Sequence, residues 1–155
     1  AMAAPSGPNA PFFVDTEVIR LTKNGVWLSD GTEIDHEQTV RMFGKSLKRD
    51  GEGYFLQIGR ETKRIEVEDT AYFVTRIGGT PRDGVDLWLS DETRERLDPS
   101  TLAYRPGRLT SRIKNGAEEA KFLHAAYFDL LQDLGEDDQN YFLKLGGDKI
   151  VLARK

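Results

Sequence analysis

Two strands and the turn between them are encoded in Gly53-Tyr-Phe-Leu-Gln-Ile-Gly-Arg-Glu-Thr-Lys-Arg-Ile-Glu-Val-Glu-Asp69. Bulky residues alternate at period two up to Gly59, and beyond it apolar Ile65 and Val67 alternate with charged neighbours. Period two is the repeat of a β-strand, and a glycine that ends such a run is typical of a hairpin turn. The stretch therefore predicts a β-hairpin whose second strand has one face in water.

Part of this pattern returns near the end of the chain as Tyr141-Phe-Leu-Lys-Leu-Gly-Gly-Asp-Lys-Ile150. Gly146 takes the place of Gly59, so a second hairpin is predicted there. The run Lys149-Ile-Val-Leu-Ala153 is almost entirely apolar, and its strand is expected to be more buried than the matching strand of the first hairpin. A predicted helix precedes each hairpin, which favours an internal duplication. Chance similarity between hairpin-rich segments is the alternative.

The composition is that of a soluble globular protein. Of the 155 residues, 38% are hydrophobic and 31% are charged, and the formal net charge is −4. This length supports one modest domain or two small halves that share a core. A general nucleic-acid binder needs an excess of lysine and arginine to displace counterions, so this class of protein is not expected. The absence of cysteine excludes disulfides and thiolate metal sites and is typical of a reducing compartment.

The first residues are predicted to form a flexible tail over 1–16. Prolines lie among small and polar residues in its first part, which has neither the basic start nor the apolar run of a secretory signal. Ala1 precedes Met2, so we interpret Ala1 as the remnant of an expression tag. No apolar run approaches the ~20 residues that cross a bilayer, so we expect no membrane association and a cytoplasmic location.

The segment 78–84, Gly-Gly-Thr-Pro-Arg-Asp-Gly, is the strongest break in the interior of the chain. Because glycine and proline interrupt regular structure, we predict a linker there. It separates an N-terminal half, 17–77, from a C-terminal half, 85–155. Each half is expected to combine a mostly antiparallel sheet with one helix, so the expected fold class is α+β, built from two similar halves.

Capping signals predict one helix in each half. Asp35, with a glutamine three residues later, has the spacing of a capping box, and the helix that follows is expected to run to residue 49. Asn115, with a glutamate three residues later, repeats that spacing before a predicted helix over 117–134. Apolar residues recur every three or four positions in the second segment, which predicts a largely buried helix.

The first predicted helix carries a basic stripe beside its apolar one. The stripe has the spacing i, i+4, i+7 and i+8, and its members are Arg41, Lys45, Lys48 and Arg49. Guanidinium and ammonium groups match phosphate oxygens, so the stripe is a candidate site for a phosphate or for an acidic partner surface. The alternative is a helix face that contacts only water.

The two tryptophans lie in comparable predicted hairpins, one in each half. Trp27 stands beside turn residues, so stacking on a ligand ring and a place in the core are both open. Trp88 lies between Leu87 and Leu89, which favours a place in the core.

The sequence contains no recognisable catalytic or cofactor motif. His36 and His124, the only histidines, lack a partner at metal-ligand spacing, and Glu66 and Glu68 are typical of a solvated strand face. A nucleophile elbow, a phosphate-binding loop and a dinucleotide fingerprint are all missing. We therefore expect no metal, no cofactor and no catalytic residue, and an enzyme is the least favoured class of function.

Several short motifs, most of them within residues 18–74, carry a resemblance to one family. They are Gly25-x-Trp27, Val40-x-x-Phe43, Tyr54-Phe-Leu, Glu61-x-x-Arg64-Ile-x-Val67-Glu-Asp69 and, more loosely, Asn115-Gly116-x-Glu118. On these residues the chain resembles the bacterial domain-of-unknown-function family numbered 1285. The chain departs from the family pattern at Ile58-Gly59, Thr70-Ala71-Tyr72 and His124, so no role tied to those positions is carried over.

The resemblance implies two similar αβ halves, the second loosely like a pleckstrin-homology barrel, and a role in signal transduction. It also implies a nucleotide-like or other anionic small molecule bound between the halves. On this sequence the side chains expected to contact that ligand are Trp27, Arg41, Arg49, Lys63, Arg105 and Arg112. The alternative is a protein-interaction module whose basic helix face binds an acidic protein partner.

Overall fold

The computed structural model describes residues 12–155, and these form two compact units that meet in sequence at Ala71 and Tyr72. Each unit contains one six-stranded sheet and one α-helix, and the second unit has a further three-stranded sheet. The predicted α+β class with two similar halves, each a mostly antiparallel sheet with one helix, is confirmed. No helix among residues 12–155 is long and apolar enough to span a membrane.

Over its described residues, 12–71, unit 1 has six strands and one helix. In chain order they are β1 (Ile19–Leu21), β2 (Trp27–Ser29), β3 (Thr32–Glu33), α1 (Glu37–Lys45), β4 (Leu47–Asp50), β5 (Gly53–Ile58) and β6 (Glu61–Val67). The sheet order is β3-β2-β1-β6-β5-β4, and only the β1–β6 pair is parallel.

The hairpin predicted from the opening stretch is present as β5 and β6. Gly59 adopts a φ of 62° in the turn, a left-handed conformation that favours glycine. Leu56 and Ile65 point to the core and are buried, while Arg64 and Glu66 on the other face of β6 are exposed. The period-two pattern therefore predicted both the hairpin and its wet face correctly.

Helix α1 is shorter than predicted at both ends. Its N-cap is His36, not Asp35, because the Nδ1 atom of His36 accepts the Thr39 N–H at 3.3 Å. The helix ends at Lys45, and the next residues form β4, where Leu47 pairs with Leu56. Pairing with β5 satisfies the backbone of this segment in a way that the local helical pattern does not reveal. The predicted single basic stripe is therefore wrong.

The core of unit 1 gathers around Phe43 of α1, which is fully buried. The Trp27 ring lies edge-on to it at 5.3 Å between centroids, and the Phe13 ring lies at 6.3 Å. Residues 1–11 of the predicted tail lie outside the described residues. Over 12–16 the structure differs from a flexible tail, since Phe13 is buried and the Glu61 carboxylate accepts its backbone N–H at 3.1 Å.

Unit 2 has nine strands, one α-helix and one short 3₁₀ helix. They are β7 (Tyr72–Thr80), β8 (Gly84–Leu89), β9 (Arg94–Arg96), the 3₁₀ helix (Pro99–Thr101), β10 (Ala103–Arg105), β11 (Arg108–Ile113), β12 (Glu118–Phe122), α2 (His124–Leu131), β13 (Gly135–Glu136), β14 (Asn140–Leu145) and β15 (Asp148–Arg154). The larger sheet has the order β10-β11-β12-β7-β8-β9, with only β12 and β7 parallel, and the smaller one has the order β13-β14-β15.

Residues 78–84, predicted as a linker, lie inside unit 2 as the end of β7, a tight turn and the start of β8. Gly78 pairs with Asp86 and Thr80 pairs with Gly84 across this hairpin. The glycines allow close packing in the hairpin, since a Cβ atom at Gly79 would lie 2.2 Å from the Gly84 oxygen. The two units instead meet in sequence between β6 and β7, where the chain has no comparable glycine-rich signal.

The long second helix predicted over 117–134 is divided in the structure. Lys114, Asn115 and Gly116 all have positive φ values, of 52°, 58° and 84°, and so form a turn from β11 into β12. Helix α2 begins only at His124, with Leu123 at its N-cap and no side-chain cap. The predicted cap at Asn115 and the predicted deep burial are therefore wrong, and Phe128 of α2 is 56% exposed.

The second predicted hairpin is present as β14 and β15, with Gly146 at a φ of 60° in the turn. The expected greater burial of its last strand is wrong. No residue of β15 is buried and Val151 is 52% exposed, whereas the matching strand of the first hairpin, β6, has Ile65 buried. An apolar run records which residues are available for burial, but the neighbouring elements decide whether both faces are covered.

Candidate functional site

Two of the predicted ligand contacts have packing roles in unit 1. Trp27 is 5% exposed, and its indole ring packs on Phe43 in the core. Lys63 lies in β6, and its Nζ atom donates to the backbone oxygens of Val14 at 2.9 Å and Asp15 at 3.1 Å. These contacts hold the first described residues on the sheet.

The two predicted arginines of unit 1 lie on different elements. Arg41 is on the exposed side of α1, where its Nη2 atom lies 3.1 Å from Oε1 of Glu37. Arg49 is an exposed residue of β4 and pairs across the sheet with Tyr54. Because a helix and a strand carry them, the two side chains do not share one stripe.

The two predicted arginines of unit 2 lie at opposite ends of one part of its sheet. Arg105 ends β10, directly opposite Arg108 of β11. Arg112 lies four residues further along β11, and its guanidinium donates to the Gly116 carbonyl oxygen at 2.8 Å and 3.2 Å. Arg112 therefore stabilises the turn between β11 and β12.

A different set of side chains converges on the outer side of β7, β8 and β9. Arg76, Trp88 and Arg94 are directly opposite one another on the three strands, in that order. The guanidinium carbons of Arg76 and Arg94 lie 4.3 Å and 4.7 Å from the centre of the Trp88 ring. Together with Asp86 and Arg96, which are directly opposite each other, these residues form what we call the arginine–tryptophan face.

The strand alternation of β8 puts Trp88 on this face. Val85, Leu87 and Leu89 are buried, and the intervening residues Asp86 and Trp88 point to the other side. On β7, a register shift between residues 74 and 76 aligns Arg76 with Trp88. Such irregularities re-aim side chains on a sheet.

Gly78 allows the indole to lie close to the backbone of β7. A Cβ atom at this position would lie 2.7 Å from both Cη2 and Cζ3 of Trp88, closer than any ordinary contact between carbon atoms. The glycine therefore fixes how near the Trp88 ring approaches the sheet. The position of the ring in turn sets where the Arg76 and Arg94 guanidinium groups lie.

Asp86 orients Arg94 and Arg96, the two arginines that β9 contributes to the face. Its Oδ1 atom accepts a hydrogen bond from Nε of Arg96 at 3.0 Å, and its Oδ2 atom lies 3.7 Å from Nη2 of Arg94. A further donor of Arg96, Nη1, reaches the Asp83 carbonyl oxygen at 3.0 Å. The Arg94 and Arg96 side chains remain 60% exposed, and that of Asp86 is 18% exposed. Three guanidinium groups thus face one carboxylate, and the face carries net positive charge.

Strand β9 is anchored from its inner side. The carboxylate of Glu95 accepts the backbone N–H of Lys114 with its two oxygens, at 3.1 Å and 3.2 Å. The Nζ atom of Lys114 also lies 2.8 Å from Oδ2 of Asp91, in the turn that leads into β9. The strand that carries Arg94 and Arg96 is therefore held in place from its inner side.

A small cavity opens beside Arg96 at the end of β9. Its volume is about 250 Å³. Apolar side chains supply much of its wall: Pro81, Val85, Leu97, Pro99 and Leu145. The cavity lies within unit 2 and offers apolar contact next to the Arg96 guanidinium.

The guanidinium groups of this face have donors that suit an anion. Guanidinium groups donate hydrogen bonds and do not give up their protons, so they hold anions but do not act as general bases. Among residues 12–155, no cluster of three or more histidine or acidic side chains has the geometry of a metal site.

The leucines on both sides of Trp88 favour a place in the core, but its ring lies on the arginine–tryptophan face. The alternation of β8 contained the contrary signal, since Trp88 has the same parity as the charged Asp86 and the opposite parity to Leu87. The alignment of Arg76 and Arg94 with it depends on two strand registers, which no local pattern reveals.

Comparison with known proteins gives a family match over the first part of the chain and a similar fold. Residues 7–70 match the model of the N-terminal domain of the domain of unknown function 1285, DUF1285. A crystal structure of a DUF1285 family protein from Silicibacter pomeroyi DSS-3 is similar with a TM-score of 0.65 and 18% identity, over 88% of this chain and 79% of that one. One from Shewanella baltica OS155 has a TM-score of 0.59 and 18% identity, over 79% and 96%. No functionally curated protein is significantly similar.

Proposed function

We propose a function from the chemistry of the surface, because the family whose N-terminal model matches residues 7–70, DUF1285, has a name that states no activity. The protein is a non-enzymatic binding module that holds an anionic ligand on the arginine–tryptophan face of unit 2. The observation that carries this proposal is the alignment of Arg76, Trp88 and Arg94, with both guanidinium carbons within 5 Å of the indole centre.

Electrostatics favour an anion at this face. Each guanidinium has five N–H donors, and Asp86 and the Asp83 carbonyl engage only part of those on Arg94 and Arg96. The remaining donors suit carboxylate or phosphate oxygens in a forked geometry. The face is concentrated on three neighbouring strands, so one ligand can contact several arginines at once.

The proposed ligand class includes nucleotide-like and other anionic small molecules, and the proposed role is regulatory, in signalling. Support for the anionic character comes from the arginines. The Trp88 ring adds apolar area, although two guanidinium groups already lie on it. The proposed binding site is thus the arginine–tryptophan face and not the six residues expected from the sequence.

The alternative of an acidic partner on the basic face of the first helix has no comparable support. Only Arg41 and Lys45 of the four basic residues lie on α1, and Arg41 forms an ion pair with Glu37 at 3.1 Å. Lys48 and Arg49 lie on β4. The surface required by that alternative is therefore not assembled on one element.

Tryptophan fluorescence tests the proposed face directly, because Trp88 reports on it and Trp27 is buried elsewhere. Titration of the protein with ADP and with inorganic pyrophosphate should change the emission of wild type, and the change should disappear in Trp88→Phe. Arg94→Glu should weaken binding about 10- to 100-fold, since a hydrogen bond to a charged group contributes about 1.5–3 kcal/mol.

Arg105→Glu is the matched control, because it makes the same charge change on another exposed arginine of unit 2. It should leave the affinity within about twofold, apart from the small effect of net charge at low salt. Equal losses in Arg94→Glu and Arg105→Glu would contradict a site on this face. A saturating ligand should also raise the stability, by about 2.7 kcal/mol at a hundred times its dissociation constant.

A further inference from the structure

Strand β9 lies at one edge of the six-stranded sheet of unit 2, and its outer side is open. The sheet order ends at β9, and among residues 12–155 no strand pairs with its far side. An edge strand presents backbone N–H and C=O groups that are ready to pair with another extended chain. Strand addition to such an edge is a common mode of peptide recognition.

The hydrogen bonds to β8 show which backbone groups face outward. Leu89 donates its N–H to the Thr93 oxygen at 2.9 Å, and Leu97 donates its N–H to the Val85 oxygen at 2.8 Å. In an antiparallel pair, alternate residues turn their N–H and C=O groups toward the partner strand. The backbone N–H and C=O groups of residues 93, 95 and 97 therefore point toward β8. Those of Arg94 and Arg96 point toward the open edge.

The same two residues carry the positive charge. Arg94 and Arg96 are opposite Trp88 and Asp86 in the register, so their side chains lie on the arginine–tryptophan face. Side chains of directly opposite residues on neighbouring strands lie about 4.5–5.5 Å apart at Cβ. A strand added beside β9 would therefore bring every second side chain next to Arg94 or Arg96.

The edge is prepared for a partner before binding. Glu95 anchors the centre of β9 from the inner side through the Lys114 N–H, so little ordering of β9 is needed when a partner arrives. The cavity beside Arg96 lies at the end of the strand and has room for an apolar side chain. A small anion would use the guanidinium groups alone and leave the outward backbone groups in water.

We propose that the anionic partner is an extended acidic peptide, which adds as a further strand along β9. Every second residue of the peptide places its carboxylate against Arg94 or Arg96. This inference rests on the proposed function, because it uses the same arginine–tryptophan face as an anion site and extends its ligands from small anions to an acidic peptide. The backbone of the peptide pairs with the outward N–H and C=O groups of Arg94 and Arg96. Acidic side chains at period two supply the specificity.

The test uses a short fluorescein-labelled peptide that alternates glutamate with threonine. Fluorescence anisotropy should show saturable binding to the full chain, and the peptide with lysine in place of glutamate should not bind. Amide hydrogen exchange by NMR gives the decisive readout. The N–H groups of Arg94 and Arg96 should exchange at least about tenfold more slowly in the complex, because they become hydrogen-bonded.

Two comparisons separate strand pairing from simple charge attraction. A peptide with N-methyl groups at alternate positions keeps every carboxylate but loses donors toward β9, and its affinity should fall at least about tenfold. Arg94→Pro removes the outward N–H that Arg94→Ala retains, and proline is tolerated where the N–H of an edge strand faces solvent. The proline variant should bind more weakly than the alanine variant. If it fails to fold, the N-methylated peptide on wild-type protein gives the answer.

The outcomes distinguish this inference from the proposed function. Binding of pyrophosphate or ADP that depends on Arg94, without binding of the glutamate peptide, would overturn strand addition and leave the proposed function standing. Equal affinity for the methylated and unmethylated peptides, or unchanged exchange at Arg94 and Arg96, would also overturn strand addition. If neither the small anions nor the peptide bind, both the inference and the proposed function are wrong.

Discussion

Replacing Gly78 with alanine tests the packing that positions the arginine–tryptophan face. The new Cβ atom would lie 2.7 Å from Cη2 and Cζ3 of Trp88, whereas carbon atoms in contact prefer about 3.5–4.0 Å. The overlap of about 1 Å falls on a rigid ring, so the indole must tilt or the strands must separate. The backbone of Gly78 is outside the left-handed region, so alanine fits its φ and the effect is steric.

The expected cost follows from that overlap. Inserting a methyl group into a packed contact typically destabilises by about 1–3 kcal/mol. A tilted ring also weakens the contacts with Arg76 and Arg94, each of which contributes about 0.5–1 kcal/mol at an exposed site. We expect the free energy of unfolding to fall by about 1–3 kcal/mol. For a chain of this length Tm drops by about 2–4 °C per kcal/mol.

Urea unfolding followed by circular dichroism measures this loss, and a double-mutant cycle assigns its cause. In a Trp88→Ala background the clash is absent, so Gly78→Ala should be neutral or slightly stabilising, because alanine restricts the unfolded chain. Gly51→Ala is the control, since no atom lies within 4 Å of its built Cβ. The same loss from Gly78→Ala with and without Trp88 would refute the reasoning.

Two further predictions concern unit 1. Trp27→Ala should lower the free energy of unfolding by about 3–5 kcal/mol, because Trp27 is 5% exposed, and Trp88→Ala should cost clearly less in the same urea experiment. A hydrogen bond from Arg64 lowers the pKa of Asp50 from 3.8 to about 2. Because the folded pKa lies below the unfolded one, the contribution of Asp50 is complete above about pH 5 and is lost as the pH falls toward 2. Asp50→Asn should remove that part of the acid dependence, and an NMR titration of the Asp50 carboxyl should give the low pKa directly.

The hairpins could be predicted because their signals are local. In the opening stretch the period of two, the glycine and the polar alternation all lie within residues 53–69, and the structure places β5, Gly59 and β6 there. The second hairpin was found in the same way. A strand pair joined by a tight turn is specified by its own sequence, since its hydrogen-bond partners are close in the chain.

The helix ends were mispredicted because distant pairing overrode local signals. Leu47 has helical spacing from Phe43, yet it lies in β4, where it is buried and pairs with Leu56 of β5. Ala120 lies on the apparent stripe of the second helix, yet β12 pairs in parallel with β7, opposite Tyr72. A parallel neighbour more than forty positions away leaves no local trace, whereas an apolar residue every three or four positions is visible at once.

The candidate site was missed for the same physical reason. The arginine–tryptophan face needs the β7–β8 register, the shift near residue 75 and the β8–β9 register together. In the sequence, no local feature distinguishes Arg76, Trp88 or Arg94 from any other strand residue. The basic stripe predicted on the first helix was more conspicuous, but it depended on a helix that ends at Lys45.

The charges on β9 also bear on which chain can occupy its edge. Arginines on an edge strand discourage pairing between copies, which is how many sheets avoid aggregation. If two copies of β9 paired in antiparallel fashion around Glu95, Arg94 of one would face Arg96 of the other, and like charges directly opposite destabilise a sheet. The same arrangement accepts a strand with carboxylates at those positions.

Blocking the edge requires only charge, however. It does not require an outward tryptophan between two guanidinium groups, a glycine that lets its ring approach, or an aspartate that orients Arg96. These added features favour recognition of an acidic strand over simple protection of the edge.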